Sequence, residues 1–527
     1  MQLTQHDKTH VLEESPTIRA RLYDMVEIPV DASVPSGGDP YRLGVKATFT
    51  HENGRALTVA GFYGGPEAGH LLRFMPTETG RWSYAIRVGD ADRGRGEIDA
   101  GDSDLPGPLK QDPDRPYHFV TSNGRPFYMM GNTSYNALTA YRNKREQYFE
   151  FLDYYHERRF NWMRFWIQQT IWPTCGGIVW PWGGTHEEPD YSVYDERTFR
   201  DAEGVISALA ERGMIASVIL LHPADLFYRK MGDEKVGICR EFISYAVARL
   251  GAYWNVVWNL ANEWERAFNF TYDEMDELGA HLDSCDAHDH LTACHHYSRF
   301  DFYDRPWTDM SSMQHRALPG EVNRVALQNR CFAKPVVNEE YGYEGDNLGP
   351  PNDPDNVRHD SWALAMAGAY GTYGDKTKGP KISVYFSSVL EDSIDACVPD
   401  MLKHLHAFME TTRYRTMCPA NMFVSSCDAN EVFCLAEPGR EYVVYCVRGQ
   451  PFNLCLTHAR GSYDATWFDP RSGTRTGPRS LEFAPHKPEG TDDKAWAKLT
   501  RDHDVSFDPP DHEHDWVLHV TRREVTS

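Results

Sequence analysis

Trp258-Asn259-Leu260-Ala261-Asn262-Glu263-Trp264 is an apolar, strand-like run that stops at a carboxylate. Lys334-Pro335-Val336-Val337-Asn338-Glu339-Glu340-Tyr341-Gly342 does the same further along the chain. Glu263 and Glu340 are 77 residues apart. An eight-stranded α/β barrel of ~250 residues spends roughly 30 on each βα unit, so about two or three units fit between the runs. Both carboxylates can therefore open on one rim of a single barrel. Two carboxylates carried to one place by separate strand ends are what glycosidic bond cleavage requires, one as proton donor and one as nucleophile or base.

Working outward, strand-like runs alternate with helical periodicity from residue 117 onward, as βα units do. Candidate strands cover 127–133, 162–168, 214–221, 255–261, 290–295, 309–314 and 334–340, with a weaker one at 369–374. Eight strands over ~290 residues fit a (β/α)8 TIM barrel better than a doubly wound sheet, and no glycine-rich phosphate loop follows the first strand. Residues 12–110 read as an N-terminal β-sandwich, with short alternating runs between Gly, Pro and Asp turns. The stretch 101–115 (GDSDLPGPLKQDPDR) reads as a linker. After a helix near 399–412 the alternation returns, and 413–527 reads as a small C-terminal β-sandwich domain. The expected architecture is thus multidomain α/β plus β, with the barrel at 117–412.

Composition narrows the function classes. A chain of 527 residues exceeds one core. Its 54 basic and 77 acidic residues give a formal charge of −23, a field that repels phosphate backbones and anionic membranes. No nucleic-acid or membrane partner is expected, and no run reaches the ~18 apolar residues of a membrane span. Aromatic residues make up 13%, which serves either large cores or sugar-stacking surfaces. The eleven Cys form no CxxC pair and no apolar segment follows Met1–Lys8. Both features point to a reducing, cytoplasmic setting.

Barrel enzymes place chemistry at strand C-termini, and those positions are uniformly polar. Strand one ends at Asn132, strand two carries Arg164, Trp166 and Gln168, and strand three ends at His222. Strand four ends at Asn262 and Glu263, strand five at His295, His296 and Tyr297, and strand six at Gln314 and His315. Strand seven ends at Glu340, and strand eight passes Tyr373. This set has the hydrogen-bonding character of a sugar pocket. No HExxH or other ligand-spaced set occurs, so neither metal nor cofactor is expected. Asp511-His512-Glu513-His514-Asp515 reads as a solvated loop. The second βα loop, which includes Trp172, Cys175, Trp180 and Trp182, reads as a lid or subsite wall.

Ala261-Asn262-Glu263 on strand four, Arg164 on strand two and a Glu on strand seven resemble the pattern of retaining glycosidases on (β/α)8 barrels. Lys334 to Glu344 resembles the strand-seven motif of apiosidase-like bacterial glycosidases, with Glu339 where that motif has Gly. Gly61-Phe62-Tyr63-Gly64-Gly65 and Arg73 to Trp82 resemble the β-sandwich, a domain of unknown function, that often precedes such barrels. The resemblance implies Glu263 as acid/base, Glu340 as nucleophile, retention of configuration, and Asn262 on the sugar 2-hydroxyl. Because side chains alternate along a strand, one of the two adjacent glutamates is expected to face the axis, and the motif selects Glu340. The substrate expected is an oligosaccharide or glycoside attacked from its end, and the N-terminal domain suggests a homo-oligomer or a cleft wall. The alternatives are a transglycosidase on the same barrel and a non-catalytic carbohydrate-binding or assembly protein.

Overall fold

A computed structural model describes residues 17–32, 38–174, 177–223, 225–298, 300–344, 353–375, 397–483 and 503–523. The expected domain limits at 12 and 527 lie outside these residues, as do Cys175 and the side chain of Trp172. Two compact units emerge. One holds the chain through Pro108 with Gly237–Trp254 and His281–His290; the other holds Leu109–Val236, Asn255–Ala280 and Leu291 onward.

In the first unit, a five-stranded sheet runs in the order Ile18–Arg21, Ala91–Gly101, Gly80–Val88, Val45–His51, Ala56–Ala60. A three-stranded sheet of Val26–Val30, His70–Phe74 and Phe62–Tyr63 completes the sandwich. Strict alternation builds it: Val26, Ile28 and Val30 point inward while Glu27 and Pro29 are exposed. Phe49 and Phe74 stack across the core at 3.9 Å, a contact worth ~1 kcal/mol beyond the area it buries. Arg73 pairs with Glu27 at 2.8 Å and donates to the Arg249 carbonyl at 2.7 Å.

The second unit contains a parallel barrel: β1 (Gly131–Thr133), β2 (Trp162–Trp166), β3 (Ile215–Leu221), β4 (Val256–Ala261), β5 (Thr292–Ala293), β6 (Ser311–Met313), β7 (Val336–Asn338) and β8 (Tyr370–Asp375). The hydrogen-bonded order is β5-β4-β3-β2-β1-β8-β7-β6. A parallel bridge between His296 and Met313 brings β5 to β6 and nearly closes the ring. β3 reads IASVILL and is buried at every position, as parallel strands covered on both faces are. Gly131 is required where β1 meets β8, since a Cβ there would lie 2.5 Å from Thr372 Cγ2. Between β2 and β3, Asp195 caps the helix Glu196–Ala210 by accepting from Thr198 N–H. That helix buries Phe199, Ala202, Val205, Ile206 and Leu209, a stripe at helical spacing.

The C-terminal strands form a six-stranded sheet in the order Cys418–Pro419, Val432–Glu437, Glu441–Cys446, Trp516–Arg522, Gly461–Phe468, Arg479–Phe483. A three-stranded sheet of Val424–Ser425, Phe452–Cys455 and Asp504–Phe507 accompanies it. This domain is fastened to the helix Pro354–Met366. Arg358 grips Asp515 at 2.7 and 3.0 Å, Tyr445 donates to Asp515 at 2.9 Å, and Trp362 stacks on Tyr445 at 5.5 Å. The 511–515 loop therefore divides. Asp511, His512, Glu513 and His514 are solvated, but Asp515 is buried. Against the cost of that burial, His359 and Arg358 hold its carboxyl well below the usual range. Trp82, Trp162, Trp166, Trp182, Trp258 and Trp362 are fully buried, so much of the aromatic excess fills cores.

Candidate active site

At Ala261 the chain leaves the sheet, still in register, with Asn262 N–H donating to the Leu221 carbonyl of β3. Glu263 then turns to φ +47°, a left-handed conformation that non-glycine residues seldom hold. The turn is fixed by a ladder to the loop after β5. Glu263 N–H points at His295 Nδ1 (3.4 Å), Trp264 Nε1 donates to His296 Nδ1 (3.0 Å), and Ser298 N–H donates to Glu265 (2.7 Å). Arg266 donates to Glu263 Oε2 at 2.6 Å. Burial first, and the Glu340 charge second, push the Glu263 carboxyl up to about 7 against the pull of Arg266.

β7 ends at Asn338, so alternation no longer governs the next two residues. Contrary to the expectation that one glutamate would face the axis, both reach Arg164: Glu339 Oε2 lies 3.0 Å from its Nε and Glu340 Oε1 3.3 Å from its Nη1. Their surroundings differ. Glu339 is fully buried and also accepts from Asn259 (2.9 Å) and Ser312 (2.7 Å). Glu340 accepts from the Tyr135 hydroxyl and from Arg316 Nη2 at 3.0 Å.

Arg164 organises the group. It is wholly buried on β2, opposite Thr133 of β1 and Ser217 of β3. Besides the two glutamates it donates to Tyr135 Oη (2.8 Å) and to Asn262 Oδ1. Burial opposes its charge, yet Tyr135, Glu339 and Glu340 hold the guanidinium well above its ordinary range. A buried cation is tolerated only when paired this thoroughly.

Of the other residues expected at the rim, Trp166 stacks on Tyr135 at 4.1 Å and lies 4.6 Å from the His222 ring. His222 is pushed down to about 3 by burial and by Arg266 and Arg164. His295 is driven well below its ordinary range by burial and Arg164. Both rings are therefore neutral near pH 7. Gln168 accepts from Tyr228 at 2.9 Å, and His296 is occupied by Trp264. Tyr297 is exposed, under the Arg266 guanidinium at 5.2 Å. Gln314 is half-buried, and His315 N–H donates to Asn338 Oδ1 at 3.1 Å.

His315 Nε2 lies 3.6 Å from Glu321, and two further residues are turned aside. Thr133 and Thr372 hydrogen-bond to each other (2.9 Å) and to the Glu339 carbonyl, so their neighbours Asn132 and Tyr373 face elsewhere. Asn132 accepts from Ser134, while Tyr373 packs near Tyr155 and Phe160 and donates to Glu344 at 2.5 Å. In the second βα loop, Trp180 and Trp182 lie 5.0 Å apart, both against Phe227 and both buried. They form a self-packed loop core, not the lid or subsite wall expected. Among the described residues no group of three or more His, Cys, Asp or Glu is arranged to hold a metal ion, and no helix is long and apolar enough to cross a membrane.

The family model described as "Apiosidase-like, catalytic domain" matches residues 114–378, just over half of the chain. The chain belongs to the apiosidase-like family. The domain of unknown function DUF5060 matches 19–89, and a model named for a collagen-binding domain of a collagenase matches 419–521. No curated protein matches the chain in sequence. Among solved structures, a candidate glycoside hydrolase from Bacteroides vulgatus ATCC 8482 is 21% identical, with TM-score 0.78 over 96% of this chain and 100% of that one. A glycoside hydrolase family 5 protein from the same organism is 16% identical, with TM-score 0.61 over 79% of this chain and 93% of that one. These likenesses concern the fold: an apiosidase-like chain on a glycoside-hydrolase barrel, for which a carbohydrate is the substrate implied.

Proposed function

We propose that the protein is a retaining glycoside hydrolase that removes sugar from the end of an oligosaccharide, with Glu340 as nucleophile and Glu263 as acid/base. The observation that carries this reading is the unequal treatment of two electrostatically coupled carboxyls at one rim. Glu263 is desolvated and pushed up to about 7, so near neutral pH it can both give and take a proton. Glu340 receives three donors that orient it for attack.

In the first step a Glu340 oxygen forms a bond to the anomeric carbon while the glycosidic C–O bond breaks, and the departing oxygen takes the Glu263 proton. In the second, water attacks the same carbon, gives its proton to the Glu263 carboxylate, and releases Glu340. Asn262, whose Oδ1 accepts from Arg164, is read as the hydrogen-bond partner of the sugar 2-hydroxyl. Both glutamates are at most 4% exposed, which suits one terminal sugar better than the middle of a polymer.

The test is a panel of aryl glycosides and short oligosaccharides, with the anomer of the first product followed by NMR. Initial release of the inverted anomer would reject Glu340 as nucleophile. An azide-dependent glycosyl azide from a Glu340→Gly variant would support it.

A further inference from the structure

Every Phe, Tyr or Trp side chain that is exposed among the described residues lies on the two loops beside Glu263: Phe268, Tyr297 and Phe300, at 84%, 47% and 49%. Single exposed aromatics need no explanation, but in a chain this rich in them, confinement to two neighbouring loops does. We infer that Phe268, Tyr297 and Phe300 form a platform on which the sugar rings of the leaving group rest, so that the substrate extends over several residues beyond the scissile bond.

The first support is direction, which rests on Glu263 being the acid. The proton donor must lie on the side from which the leaving oxygen departs, so the loops carrying Glu263 and its ladder border the leaving-group subsites. The second is rigidity. The turn bearing Phe268 is held from the preceding βα loop: Arg229 donates to Asn269 Oδ1 (2.9 Å) and the Ala267 carbonyl (3.4 Å), while Asn269 donates to the Pro223 and Asp225 carbonyls (2.6 and 2.9 Å). On this anchored turn Phe268 is kept at φ +52°, a conformation unfavourable for an aromatic residue, with its ring in water. Among the described residues neither cost is offset by packing of the ring.

The third support is chemistry. Aromatic faces cover the apolar C–H surface of sugars and leave hydroxyls to water. Arg266, the cation beside them, is already engaged by Glu263. The patch is also small. Three rings fall well short of the ~800 Å² per partner of a stable protein interface, which argues against a second copy of the chain as occupant.

Two substrates sharing a non-reducing sugar test this: the aryl glycoside turned over best, and an oligosaccharide with at least three further residues. Phe268→Ala and Phe300→Ala should each raise KM for the oligosaccharide roughly three- to tenfold at constant kcat, with the aryl glycoside within about twofold; Phe268→Trp should restore the oligosaccharide KM. Equal loss on both substrates, no change on either, or a change confined to oligomeric state would overturn the platform. Full activity of Glu263→Gln would instead overturn the acid assignment, so the two failures are distinguishable.

Discussion

At the end of β4, Glu263 meets one guanidinium, from an Arg266 side chain that is 45% exposed. At the end of β7, Glu340 meets a hydroxyl and two guanidiniums, from side chains at most 16% exposed. Same residue type, same rim, but one carboxyl is starved of stabilisation and the other surrounded by it. A barrel thus sets two like residues apart through what neighbouring strands supply. β1 and β2 send Tyr135 and Arg164 toward β7, whereas β4 bends into a left-handed turn and leaves its carboxyl with a loop cation.

The most direct way to break this contrast is Glu340→Gln. Turnover should fall by roughly four orders of magnitude with the thermal transition intact, since no bond to the anomeric carbon can form. Glu263→Gln should cost about 10²- to 10⁴-fold on substrates with poor leaving groups and much less on activated aryl glycosides, which need no proton. A uniform loss across leaving groups would reject Glu263 as the acid.

Stability sharpens the same contrast. The Glu263 carboxyl rises from 4.5 to about 7 on folding, so the folded chain binds a proton that the unfolded chain gives up. Its contribution is fully present below pH ~4.5 and is lost as the pH rises through about 7, amounting to ~3 kcal/mol. Relative to Glu263→Gln, the wild type should therefore lose stability progressively over that window in urea titrations. Arg316→Met should lower kcat/KM by roughly 10- to 100-fold by removing one charged donor from Glu340, with Arg316→Lys recovering part. The mildest variant is Arg266→Gln. Arg266 favours the Glu263 carboxylate, so its loss should move the alkaline limb of the kcat/KM profile upward by about one unit or less. A downward shift would mean that Arg266 is not the group holding Glu263 down.

The barrel could be read from the chain because its strands are short, apolar and stopped by polar residues. β2, β3, β4 and β7 lie within the expected runs, with Arg164 inside one and Asn262, Glu263 and Glu340 at or just past the ends of theirs. What escaped lies off the strands. Tyr135 comes two residues after β1, and Arg316 three after β6, where period-two reasoning has lapsed. A rule that extends each strand end by three residues would have found both. Asn132 and Tyr373 depart from expectation because position at a strand end does not fix facing; Thr133 and Thr372, the small polar residues beside them, are the inward pair. Glu339 departs for a related reason: β7 ends at Asn338, and alternation does not hold past that end.

The clasp between Arg358 and Asp515 bears on how this chain can be dissected. A fragment ending near residue 412 would keep Arg358 inside the helix layer with its bidentate acceptor gone, and would strip Tyr445 from the face of Trp362. Arg358 would keep Asp355 at 2.6 Å but lose two hydrogen bonds to a carboxylate, each worth on the order of 1.5–3 kcal/mol, while the face of Trp362 would open to water. Excising the catalytic segment alone should therefore yield an aggregating protein. The trailing β strands thus act as the cover of that helix as much as a domain in their own right.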